Sequence, residues 1–107
     1  MAWAILLVAG LFEVAWAIGL KYTHGFTRPL PVALVLVAMV ASVWMLAIAL
    51  RTIPLGTGYA VWTGVGAVGT AVAGMMLFGE SRDLLRVLCI LLIVGGIAGL
   101  KLATPAP

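Results

Sequence analysis

Four long stretches of this 107-residue chain are almost free of charge, and that spacing leaves few folds open to it. A helix that crosses a bilayer needs roughly 20 mostly apolar residues. In lipid every backbone N–H and C=O must be paired within the protein, which leaves helices or closed barrels as the spanning structures. The first stretch runs over about 2–20 and holds one charge, Glu13, before Lys21 closes it. The second, about 31–50, and the third, about 57–78, hold none. The fourth, about 84–102, has Arg86 and Lys101 near its ends, where long basic side chains reach back to the interface. The intervening segments are turn-rich: Tyr22-Thr23-His24-Gly25-Phe26-Thr27-Arg28-Pro29, Arg51 to Gly56, and Gly79-Glu80-Ser81-Arg82-Asp83. The expected fold class is therefore all-α and integral to the membrane: one four-helix transmembrane domain over residues 1–107.

Composition supports this. Hydrophobic residues make up 65% of the chain and charged residues 8%, against about 25% charged in a soluble domain. A net charge of +3, scattered along the chain, is no footprint for nucleic acid. A lone cysteine, Cys89, forms no internal disulfide. A signal peptide is the rival reading of the first stretch, with Ala15-Trp16-Ala17 imitating a cleavage site. It lacks a basic start and carries an acid in the apolar run, so the membrane span is preferred. No nucleophile–base pair, metal cluster or phosphate loop is present, which argues against an enzyme, and no metal or cofactor is expected.

Orientation is weakly encoded. Lys21, Arg28, Arg82 and Arg86 lie on the side of the first and third loops, and Arg51 and Lys101 on the other. Four against two is a small bias for a rule that sets topology by Lys and Arg, so insertion both ways round is expected from charge.

Glu13 is the most informative residue. It sits about 3 Å from the middle of the first span, where an acid costs about 2.5–3.5 kcal/mol even on lenient scales. Every Lys and Arg lies at a span end, so no permanent ion-pair partner is in sight. Burial disfavours the charged carboxyl, and a group so placed exchanges a proton for a cation. A protonated carboxyl bonded into a helix interface is the structural alternative; acids at this depth are usually functional.

Leu6, Gly10, Glu13, Ala17 and Leu20 share one stripe, with Trp16 one turn from Glu13. Gly10 and Ala17 are expected to leave room for the carboxyl, and Trp16 to offer an N–H and an aromatic wall, although Trp also anchors spans at interfaces, as fits Trp3. On the third span Tyr59, Trp62, Gly66, Gly69, Ala73 and Met76 form a second stripe. Its glycines suit ordinary close packing, whereas Tyr59 beside Trp62 suits a cation site. Ser42 is the polar residue inside the second span; a bond back to its own helix and a place in a site are both open. Gly64-Val65-Gly66 is a weak point and a candidate hinge. Gly95, Gly96 and Gly99 give the fourth span a close-packing face, Gly95 and Gly99 in G-x-x-x-G spacing, and Cys89 reads as a small packing residue there. His24 reads as a solvated turn residue.

Taken together these residues resemble the small multidrug resistance family, and within it the guanidinium-exporter subtype. The likeness covers essentially the whole chain: Glu13 with Trp16-Ala17 and Leu20-Lys21, then Gly25-Phe26-Thr27-Arg28. The most specific block is Ile53-Pro54-Leu55-Gly56-Thr57-Gly58-Tyr59-Ala60-Val61-Trp62-Thr63-Gly64-Val65-Gly66. The resemblance implies four helices, an antiparallel homodimer of oppositely oriented copies, and proton-coupled export of guanidinium from a site shared by two copies of Glu13. It implies that Glu13 binds proton and substrate, that Gly10, Trp16, Ser42, Tyr59 and Trp62 surround it, and that Cys89 and Gly96 hold the seven-residue spacing of the dimer helix. It implies a bacterial inner membrane. The chemistry agrees, because guanidinium is flat, weakly hydrated and matched to a carboxylate fork. An exporter of quaternary ammonium or polyaromatic cations on the same fold is the nearest rival; a non-transporting membrane subunit explains the glycines but not Glu13.

Overall fold

The computed structural model describes residues 1–104, and all regular structure in them is helical. The helices are α1 (Ala2–Tyr22), α2 (Pro29–Ala49), α3 (Leu55–Leu77) and α4 (Leu84–Ala103). At 20 to 23 residues each they reach about 30–35 Å, the thickness of a hydrocarbon core.

The ends differ from the expected bounds by up to two residues, for local reasons. α1 continues through Lys21 and Tyr22, whose side chains pack on Phe78. Lys21 Nζ lies 4.9 Å from the Phe78 ring centre and the Tyr22 ring 5.8 Å from it. Buried Thr23 then stops the helix. Its hydroxyl donates to the Leu20 carbonyl at 2.7 Å and accepts the Phe26 N–H at 3.2 Å. The turn needs left-handed backbone at His24, Gly25 and Phe26 (φ 49°, 73° and 67°), a conformation glycine adopts without strain. α2 starts at Pro29 because proline has no N–H to lose in the first turn, and Arg28 before it is extended. α3 likewise starts early: the Pro54 carbonyl accepts the Gly58 N–H at 2.8 Å. It ends at Leu77 where Gly79 turns left-handed (φ 66°).

α1 is central and packs on α2 on one side and on α3 on the other; the backbone of α4 approaches α3 alone. Leu6, Ala9, Leu46, Ala49, Ile53, Val61 and Trp62 form the buried core. The molecule is thin, with principal extents of 44 × 35 × 17 Å, so most apolar side chains face outward. α4 buries no residue, and Leu84, Leu85, Leu92 and Leu102 are at least 74% exposed. In lipid such a surface costs nothing, because lipid tails are as apolar as leucine.

Candidate functional site

The site is built where α1 crosses between α2 and α3. Ser42, from the middle of α2, is fully buried. Its hydroxyl donates to the Ala9 carbonyl of α1 at 2.7 Å and accepts the Trp62 indole N–H of α3 at 3.0 Å. One side chain therefore ties three helices. The Ala9 carbonyl is also the helical acceptor of the Glu13 N–H. Tyr59 stands beside Trp62 on α3, ring centres 5.7 Å apart and tilted by 46°, and is 55% exposed.

The Glu13 carboxyl lies one turn further along, directly over Gly66. A Cβ built at Gly66 would overlap that carboxyl and stand 2.8 Å from Glu13 Cγ, so any side chain at this position would displace it. Glu13 is four residues beyond Ala9, and Gly66 four beyond Trp62. The Ser42–Trp62 pair and the carboxyl thus occupy successive levels of one seam, about 6 Å apart along the helices. The buried Oε1 of Glu13 and Nε1 of Trp16 find no hydrogen-bond partner in the chain. No cation of the chain faces the carboxyl among the described residues. Lys21 rests on Phe78, Lys101 on Trp3 at 5.0 Å, and Arg86 on Glu80 at 2.7 Å.

The structure brings Ser42, Trp62 and Tyr59 together and sets Glu13 one turn along the same seam, whereas Trp16 lies a further turn along α1 with its N–H unpartnered. Gly10 serves differently from the sequence expectation: its space is filled by Val65 of α3, whose Cβ stands 2.8 Å from where a Gly10 Cβ would be. Room for the carboxyl comes instead from Gly66, across the helix pair. Gly64 meets Ile97 and Ile93 of α4, and α3 runs as uninterrupted helix through Gly64–Gly66, so in this structure the weak point is used for close approach. Gly95, Gly96 and Gly99 face open space, and Cys89 is exposed. With Leu88, Leu91 and Leu92, Gly95 and Gly96 line a shallow apolar groove of about 550 Å³.

Sequence reasoning missed three features. The Ser42–Trp62 bond joins residues twenty apart on different helices. Glu80, in the loop after α3, lays its carboxyl on Gly74, and a Cβ there would come within 2.6 Å of Oε1. Thr70 of α3 buries its hydroxyl without a partner. The small residues at positions 66 and 74, four on either side of Thr70, were the available signal.

Three membrane helices that meet at one unneutralised acid, with a fourth packed on α3, define a miniature four-helix membrane bundle. The chain belongs to the small multidrug resistance family: the sequence model described as Small Multidrug Resistance protein matches residues 1–93. It is 62% identical over 104 residues to a guanidinium exporter of Yersinia pseudotuberculosis, covering 97% of this chain and all of that one. It is 60% identical to a guanidinium exporter of Citrobacter freundii, over 97% of this chain and 99% of that one. For a guanidinium exporter of Proteus vulgaris the identity is 56%, over 97% and 100%. Its spans and its bacterial relatives make it a multi-pass protein of the bacterial inner membrane.

Proposed function

We propose that this protein exports guanidinium in exchange for protons, as a homodimer of two oppositely inserted copies whose Glu13 carboxyls share one site. The observation that carries this reading is the Glu13 carboxyl seated on Gly66 with a buried oxygen that nothing in the protomer satisfies. The family and the exporters at 60–62% identity support the cargo.

The geometry supports these roles. A carboxylate in a dry site demands either a proton or a cation, because an uncompensated buried charge is costly. Guanidinium presents planar N–H groups that match a carboxylate fork. Trp16 keeps an aromatic wall and an unused N–H beside it. Ser42, held by Trp62 and Ala9, fixes the α1–α2–α3 crossing, and the Tyr59 and Trp62 faces suit a flat cation. Loading protons or one cation, but not both, couples the two flows. The thin, one-sided protomer supplies one carboxyl and half the walls; a second, inverted copy supplies the rest, as inverted repeats do around a midplane site.

The test is guanidinium Kd and proton-driven guanidinium uptake into proteoliposomes, with tetramethylammonium as competing cargo. Cation binding requires a deprotonated carboxylate, so on the acid side Kd rises tenfold per pH unit for each proton released, then levels off in alkali. Glu13→Gln, which keeps size and loses charge, abolishes binding and coupled uptake. A flat Kd over about pH 5.5–9, or normal uptake by Glu13→Gln, refutes proton exchange. Preference for tetramethylammonium refutes the cargo.

A further inference from the structure

We infer that Thr70 is a further residue of the proton and cation site, one that positions the Glu13 carboxyl by a hydrogen bond from the α3 side; this rests on the exchange reading above. Gly66, Thr70 and Gly74 lie at four-residue intervals on one face of α3. A carboxyl sits on each glycine, Glu13 on Gly66 and Glu80 on Gly74, with Thr70 between them. The two acids differ in one respect. Glu80 is bonded to Arg86 at 2.7 Å, whereas Glu13 Oε1 has no partner. The Thr70 hydroxyl is also buried and without a partner, and does not make the bond to its own helix that a membrane threonine commonly makes. Two orphaned polar atoms thus lie one helical turn apart in the same seam.

The spacing is right for them to meet. Cβ positions four residues apart on a helix are about 5–6 Å from each other. The Glu13 carboxyl occupies the Cβ position of Gly66, so it lies within reach of the Thr70 hydroxyl through one water, or directly after a small turn of either side chain. The register agrees. Gly10 meets Val65, Glu13 meets Gly66 and Val14 meets Gly69, so α1 and α3 run parallel and Thr70 lies at the height of Trp16 and Ala17.

A hydroxyl suits a group that cycles between two states. It accepts from the protonated carboxyl and donates to the carboxylate, so neither state leaves Glu13 with two bare oxygens in a dry site. Glu80, seated on Gly74 one turn beyond Thr70, is the other carboxyl within the same reach, and Arg86 engages it at 2.7 Å; the remaining titratable groups lie elsewhere among the described residues. α2 has none along its length, α1 offers Lys21 and Tyr22 at Phe78, α3 offers Tyr59 below Gly66, and α4 offers Arg86 on Glu80, an exposed Cys89 and Lys101 on Trp3.

The experiment is guanidinium Kd against pH for the purified dimer carrying Thr70→Val, Thr70→Ser or Thr70→Ala, with thermal unfolding measured alongside. A hydrogen bond to a charged group is worth about a tenfold to hundredfold preference. Thr70→Val loses the bond to both states, but the bond to the charged carboxylate is about tenfold the stronger, so the pH at which affinity begins to fall moves upward by about one unit. Guanidinium still binds at the alkaline end, and Thr70→Ser restores the parent profile. Packing alone would change stability without moving that pH. Should Thr70→Val not fold, Thr70→Ala, which adds no bulk, carries the same expectation. A break point equal to the parent's in the hydroxyl-free variant, or an equal shift in Thr70→Ser, overturns this role while leaving the exchange mechanism standing. A flat profile in the parent overturns both.

Discussion

Gly66→Ala is the substitution whose effect the structure defines most sharply. A methyl at position 66 would overlap the Glu13 carboxyl and stand 2.8 Å from Glu13 Cγ. Carbon atoms are at ease about 3.5–4.0 Å apart, so even the stem of the side chain must retreat by about 1 Å. The carboxyl, nearer still, must swing further. Misplacing a reacting or binding group by about 1 Å costs on the order of 100-fold, which is about 2.7 kcal/mol. The fold is not expected to suffer. Glutamate is flexible, and replacing glycine inside a helix by alanine gains up to about 1 kcal/mol of propensity. Gly56→Ala, in the first turn of the same helix, adds a methyl into open space and serves as the control. The assay is titration of the purified protein with guanidinium at alkaline pH, with thermal unfolding on the same samples. We expect Gly66→Ala to weaken binding about 100-fold at unchanged or higher stability, and Gly56→Ala to bind like the parent. Parent-like affinity in Gly66→Ala would show that the carboxyl does not work from its seat on Gly66, and the reasoning would fail.

Ser42→Ala leaves the buried Trp62 N–H without its acceptor and lowers stability by about 1–3 kcal/mol; unchanged thermal unfolding would mean that the three-helix tie carries no weight. Trp16→Phe removes an N–H that nothing in the protomer uses, so stability holds while guanidinium transport weakens; parent-like transport would make Trp16 a packing residue. For topology, a single reporter cysteine in the first loop, after Cys89→Ala, should be labelled by an impermeant reagent in roughly half the copies from each side. Labelling from one side alone would mean that a second, oppositely oriented protein is needed.

What was legible in the sequence is what depends on sums along the chain. Span number, approximate ends and the anomaly of Glu13 come from residue-by-residue transfer free energies that add over about 20 positions, whatever the neighbours are. The aromatic pair Tyr59–Trp62 was legible too, because helical spacing alone places the two residues side by side. Which glycine makes room for the carboxyl was not. Gly10, on Glu13's own helix, is filled by Val65, and the seat comes from Gly66, 53 residues from Glu13 in the chain. Ser42 had two open uses, and only the crossing of α2 with α1 and α3 assigned its hydroxyl to Ala9 and Trp62. Thr70 had a faint signal in Gly66 and Gly74, but its burial without a partner depended on the same crossing. These outcomes depend on the rotation and register with which helices interlock, which side chains on several helices decide jointly. The sequence determined that the chain crosses the membrane four times with one acid inside; the tertiary structure decided which atoms face that acid, because close packing is a property of pairs of helices and not of either alone.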